Sequence, residues 1–217
     1  MRYLYRVSGD LKTVRIATDH REAILQNAAR LFARKPFHEV LMDDVAEQTG
    51  VAKGTIYRYF PNKAELFVAL SMRFVEMLAG EVGRAVSSDD PLLNMRKMLV
   101  RLVEVIHENH DFFQVMQRRE CEVWERKSSE FLQRRNVLRD LFVEQIRLAE
   151  IAGKVACPFG QTTAADMLLG MVRNILRFST PVPPPATLAD MVLNVFVNGL
   201  TIRSNEIFSV ESVEGFK

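Results

Sequence analysis

From Asp19 onward apolar residues recur at helical spacing. Ile24, Ala28, Leu31 and Phe32 mark the inner face of a first helix, which Pro36 ends. Asp19 can cap it, and Glu22 stands where the second half of a capping box belongs. A second, short helix is predicted to begin near Asp43 and Asp44, acids that suit a helix N-terminus. It carries Val45 and Ala46 and ends at Gly50, a residue type that adopts the left-handed turn easily. A third helix covers about 52–59 and breaks at Pro61-Asn62. A long helix follows from Lys63 to about Val86, with Leu66, Leu70, Phe74, Met77 and Leu78 on its inner face. Ser87-Ser88-Asp89-Asp90-Pro91 is a break with capping chemistry for the next helix. The remaining pattern predicts helices over 92–108, 111–126, 129–152, 162–178 and 187–208. Asn109-His110-Asp111, Pro158-Phe159-Gly160 and the proline run 181–185 separate some of them. No alternating strand pattern of any length and no internal repeat occurs, so the fold class is all-α. The expected order is an N-terminal arm (1–18), a three-helix domain (19–64) and a larger helical domain (65–217).

Apolar residues make up 48% of the 217, enough for a full core, and 26% are charged. No run of about 18 apolar residues occurs, and the first residues lack a continuous signal-peptide core, so a cytoplasmic protein with no membrane span is expected. Charge is unevenly placed: residues 1–63 hold eleven basic and seven acidic side chains, the rest eighteen and twenty. Within 51–63 stand Lys53, Arg58 and Lys63 and no acid, which suits a nucleic-acid face. The two cysteines, Cys121 and Cys157, read as reduced thiols. His107 and His110 lie three apart, but the helix breaks between them and no ligand set has metal spacing, so no metal site is read. There is no glycine-rich phosphate loop and no nucleophile elbow, and no Ser/His/Asp set can be assembled. An enzyme, and a cofactor with it, is not expected.

Residues 43–60 read physically as two short helices packed across a tight glycine turn. Val45, Val51 and Ile56 are spaced to close one small core, and Ala46 is small enough to let the helix backbones approach. The second helix must then face Lys53, Thr55, Tyr57, Arg58 and Tyr59 outward: hydroxyls, phenols and two cations, with no carboxylate. Such a helix fits the major groove of DNA. Gly54 leaves its start bare, so the backbone can approach a phosphate or a base. Lys63 stands at the next helix start, where charge and helix N-terminus both favour phosphate. Asp43 and Asp44 would repel phosphate and are expected to point away from it.

The stretch Val51-Ala52-Lys53-Gly54-Thr55-Ile56-Tyr57-Arg58-Tyr59-Phe60-Pro61-Asn62-Lys63-Ala64-Glu65-Leu66 resembles the signature of the TetR (tetracycline-repressor-like) family, and the resemblance covers about 20–68. It implies that Lys53, Gly54 and Thr55 lie at base edges. Tyr57, Tyr59 and Lys63 would bind phosphates, and Arg58 would do either. Three positions depart from the pattern. Val40-Leu41-Met42 stands where a Ser or Thr usually caps the second helix, Pro36 replaces a glycine, and Ala52 replaces a hydroxyl cap.

The larger domain has two expected tasks, dimerisation and sensing. One small helix-turn-helix covers too few base pairs for useful specificity, and two copies about 34 Å apart on a palindromic operator solve this. The resemblance implies a homodimer built from the last two helices, with Leu168, Val172, Leu176, Met191, Val195, Phe196 and Gly199 as candidate interface residues; composition alone fits burial in the subunit's own core equally. Met98, Leu102, Phe112, Met116, Trp124, Phe142, Met167 and Met171 are candidates to line a pocket for a small apolar or aromatic effector. The function expected is a repressor that such an effector releases from its operator. The alternative is a body that recruits a partner protein and binds no small molecule; a well-formed apolar cavity would count against it.

Overall fold

A computed structural model describes residues 20–118 and 120–200, with 118, 120–128 and 200 described by backbone alone. The expected arm 1–18 and the capping Asp19 therefore lie outside the described residues, as do the side chains of Cys121 and Trp124.

The described residues form α-helices and one short turn of 3-10 helix, and no strand occurs among them. Helix α1 (His20–Phe32) leads through the 3-10 turn Phe37–Glu39 into α2 (Met42–Thr49) and α3 (Lys53–Tyr59). Ile24, Ala28, Leu31, Phe32, Val45, Ala46, Ile56 and Phe60 are buried and close the core of this head. Gly50 ends α2 in the left-handed conformation (φ 71°, ψ 26°), and its N–H donates back to the carbonyls of Ala46 and Glu47. Leu41 precedes α2 with no side-chain cap, so the departure at 40–42 is a real loss of a capping bond.

Helix α4 (Lys63–Arg84) starts where Asn62 accepts a 3.0 Å bond from the N–H of Glu65. It is buried on more than one side, by Leu66, Phe67, Leu70, Phe74, Val75, Leu78 and Val82 among others, because it runs from the head into the middle of the body. The boundary expected at 64/65 thus falls inside a continuous helix. Around it stand α5 (Pro91–Glu108), α6 (His110–Arg118), α7 (Glu120–Ile151), α8 (Gln161–Phe178) and α9 (Pro185–Leu200). Helix α4 packs along α7, α5 against α9 and α8 against α7. Asp90 caps α5 by accepting from the N–H groups of Leu92 and Leu93, with Pro91 in the first turn.

The break expected near 127–128 does not exist: α7 runs unbroken through it. Lys127-Ser128-Ser129 contains neither glycine nor proline, and serines cost a helix only a few tenths of a kcal/mol each.

Two polar devices fix the bundle. Buried Asn94 accepts from the N–H groups of Ser87 and Ser88 and donates to the Ser88 carbonyl at 2.7 Å and to Gln145 Oε1 at 3.0 Å, tying the α4–α5 connection to α7. Arg96 clasps Asp190 through two bonds of 2.6 and 2.9 Å, tying α5 to α9. Head and body meet through aromatic rings: Phe67 of α4 lies 5.3 Å from both Phe32 and Phe37 and 6.0 Å from Phe112, which in turn meets Phe74 at 5.4 Å.

Candidate nucleic-acid interface and interior cavities

With Ile56 fully buried as its anchor, α3 turns Lys53, Gly54, Tyr57 and Arg58 to the outside, and Thr55 and Tyr59 are half-buried. A Cβ at Gly54 would meet no heavy atom within 4 Å, so nothing inside the chain demands glycine there. The Arg58 guanidinium lies 5.3 Å over the ring of Tyr59, which stiffens both. The exposed cations and phenols expected from the sequence are brought together on one short helix.

Asp43 and Asp44 do not simply point away. Asp43 Oδ2 accepts a 2.7 Å bond from Lys53 Nζ, and Asp44 pairs with Lys35 at 3.2 Å. Both α2 acids are therefore paired with lysines, which offsets part of their repulsion at the helix start. The hydrogen bond and charge of Asp43 raise the Lys53 pKa above its ordinary value, so this ammonium stays protonated. The partner was illegible because 43 and 53 lie on different helices. DNA must compete with Asp43 for Lys53. We expect Asp43→Asn to strengthen binding to every DNA sequence by about three- to tenfold at low salt, an advantage that shrinks as salt rises. Fluorescence anisotropy across a salt series checks this; unchanged affinity would mean that the pair persists on DNA.

Lys63 is placed otherwise than expected. Its Nζ donates to the carbonyls of Phe37 (2.7 Å) and His38 (3.2 Å) and sits 4.7 Å over the Phe37 ring. It ties the start of α4 to the 3-10 turn. No sequence signal marks this contact, because its acceptors are main-chain carbonyls of a turn far earlier in the chain.

Among the cavities in the described residues, two have largely apolar walls. One, of about 430 Å³, lies at the joint of head and body between α1, the α5–α6 junction and Val182; Ala29, Ala33 and Phe112 line it, with Arg30, His107 and His110 also on its wall. Burial, then the charge of His110, holds the His107 pKa below its usual value. The other, of about 210 Å³, is a half-open cleft within the body and takes residues from α4 to α8. Of the expected lining residues, Leu102 and Met116 face this inner cavity and Phe112 the outer one. Met98 and Phe142 are fully buried in the core and line neither. Met171 is half-buried and lines neither, and Met167 is 52% exposed on the outer face of α8. The polar members of the inner wall, Gln117, Arg135, Asp166 and Arg173, were missed. A signal existed: Arg135 interrupts the helical stripe Phe131, Leu138, Phe142.

Among the expected dimer residues, Leu168, Val172, Leu176 and Phe196 are buried in the subunit's own core, whereas Met191, Val195 and Gly199 face outward. No group of three His, Cys, Asp or Glu able to hold a metal occurs among the described residues, and none of their helices is long and apolar enough to cross a membrane.

A tight helix pair with a cationic, phenol-bearing second helix, carried on a helical body, has the form of a helix-turn-helix of the DNA-binding type. Residues 24–70 match the family described as bacterial regulatory proteins, tetR family. The transcriptional regulator TtgR of Pseudomonas putida is 26% identical over 76% of this chain and 84% of its own length. The transcriptional repressor BepR of Brucella suis is 25% identical over 74% of this chain and 80% of its own. In fold, the chain is similar to the Thermus thermophilus repressor FadR solved with lauroyl-CoA, at a TM-score of 0.63 and 19% identity, covering 87% of this chain and 99% of that one. Residues 24–70 therefore carry the segment described for the tetR family, and the chain as a whole is similar in fold to solved regulators of that family.

Proposed function

We propose that the chain is a repressor that leaves a palindromic operator when a small, largely apolar effector fills the inner cavity. The observation that carries this reading is the cavity itself: Val75 and Leu78 of its wall belong to α4, the helix whose first turn is built into the head. An occupant that favours one placement of α4 favours one placement of the head, to the extent that it binds the two states unequally. A body that only recruits another protein would have no use for this space. At about 210 Å³ the cavity is below the size of drug-sized sites, so the effector is small. The repressors FadR and BepR support the sign of regulation, and lauroyl-CoA in FadR supports control by a small molecule.

Lys53, Gly54 and Thr55 are the residues for base edges, Tyr57 and Tyr59 for phosphates, and Arg58 for either. Lys63 would act at one remove, by fixing the start of α4. The protein acts in the cytoplasm as a homodimer through the outer faces of α8 and α9, where Met167, Met191 (51% exposed) and Val195 (63% exposed) lie open.

The test is titration of the purified protein against DNA from upstream of its own gene, with scrambled DNA beside it, over a salt series. Selective binding with two chains per site, reversed by members of a panel of small phenols, anilines and alkylbenzenes, is the expected result. Equal binding to both DNAs at every salt concentration would overturn the regulator assignment for that site.

A further inference from the structure

The wall of the inner cavity is mostly hydrocarbon, from residues such as Val75, Leu78, Phe131 and Leu138. Two acceptors interrupt it. Gln117 Oε1, on an α6 side chain only 6% exposed, is buried and receives no hydrogen bond from the protein. Asp166 Oδ1 of α8 is also buried as an atom and without a hydrogen-bond donor, on a side chain that is otherwise 41% exposed. Arg135 Nη2 stands 3.5 Å from that oxygen, close enough for an ion pair but not for a hydrogen bond, and Arg139 reaches Oδ2 only at 4.0 Å. The cavity thus holds two protein acceptors, one formally neutral and one anionic, with no protein hydrogen-bond donor assigned to either.

Buried polar atoms are nearly always paired, by protein or by water. An occupant that enters the cavity displaces solvent and must itself supply the donors, or it leaves the acceptors unpaired in a low-dielectric space. Hydrocarbon, ether, ester and ionised carboxylate groups have no donor to give. Hydroxyl and amine groups have.

We propose that the effector is a small apolar molecule bearing a hydrogen-bond donor, a hydroxyl or an amine, which ends on Gln117 Oε1 with Asp166 Oδ1 as a second acceptor in the same wall. The proposal rests on the reading of this cavity as the sensing site. It narrows the apolar or aromatic class to its donor-bearing members.

Calorimetric titration of the full-length protein with 4-propylphenol, 4-propylaniline, propylbenzene and 4-propylanisole tests it, because these differ in the donor and little in the apolar body. The phenol and the aniline should bind on the order of tenfold tighter than the two donorless compounds. In Gln117→Met, which keeps the length of the side chain and removes the acceptor, that gap should shrink to about threefold or less while propylbenzene still binds. The variant should melt no lower than the wild type, since an unpaired buried acceptor has been removed. Equal affinity of the wild type for phenol and propylbenzene would overturn the donor requirement and leave a ligand-taking cavity in place. An undiminished gap in Gln117→Met would overturn the assignment to Gln117. Binding of none of the four would overturn the sensing reading, and the proposal with it. If the variant does not fold, the wild-type series decides alone.

Discussion

Phe67→Ala is expected to cost the folded chain about 3–5 kcal/mol, read as a lowered urea midpoint at unchanged slope. Phe67 is 1% exposed, and its ring touches three others drawn from three segments: Phe32 of α1, Phe37 of the 3-10 turn and Phe112 of α6. Truncation removes the transfer energy of a whole phenyl ring and leaves a void that these neighbours cannot close together, because each is held by its own helix or turn. Each ring pair adds about 0.5–1.5 kcal/mol beyond area. Phe142→Ala is the control, since Phe142 is as fully buried but lies away from this cluster. Both should lose stability, but only Phe67→Ala should let the head exchange its amide hydrogens separately from the body. A loss under about 1.5 kcal/mol would mean that the rings repack into the space.

Lys53→Glu is expected to abolish operator binding with little change in stability. Lys53 is exposed at the first position of α3, and its bond to Asp43 is a surface pair of small worth to the fold. On DNA it is a different matter. Losing a base or phosphate contact costs about 1–3 kcal/mol per head, and a dimer carries two heads, so the loss is roughly thirtyfold to ten-thousandfold before repulsion is counted. The new carboxylate would also face Asp43, adding a second negative charge where phosphate has to lie. Anisotropy titration and thermal melting together read the result. Retention of binding within about fivefold would remove Lys53 from the interface.

The head was legible because its logic is local. Val45, Ala46, Gly50, Val51 and Ile56 lie within twelve consecutive positions, and a pair of short helices across a glycine turn has few ways to bury them. What failed to show were relations between elements. Asp43 bonds Lys53, and Lys63 bonds the turn before α2, through contacts that no spacing rule connects. In the body, residue type did not reveal position. Met98 and Phe142 share the chemistry of Leu102 and Met116, yet the first two pack solid core and the second two face the cavity. The same holds for α8, where Leu168 turns inward and neighbouring Met167 outward. A long helix such as α7 hid its continuity because its serines look like a break and are not one.

Helix α4 also has the geometry of a lever. From its start just after α3 to Leu78 in the cavity wall it spans sixteen residues, about 24 Å at 1.5 Å per residue. A tilt of about 5° at one end then displaces the other by about 2 Å, several times the tolerance of a hydrogen bond. Occupancy and output are therefore separable quantities. If the chain is the effector-released repressor proposed above, a compound that fits without leaning on Val75 or Leu78 would bind and leave the gene silent, blocking the inducer, while a slightly longer one of equal affinity would switch it on.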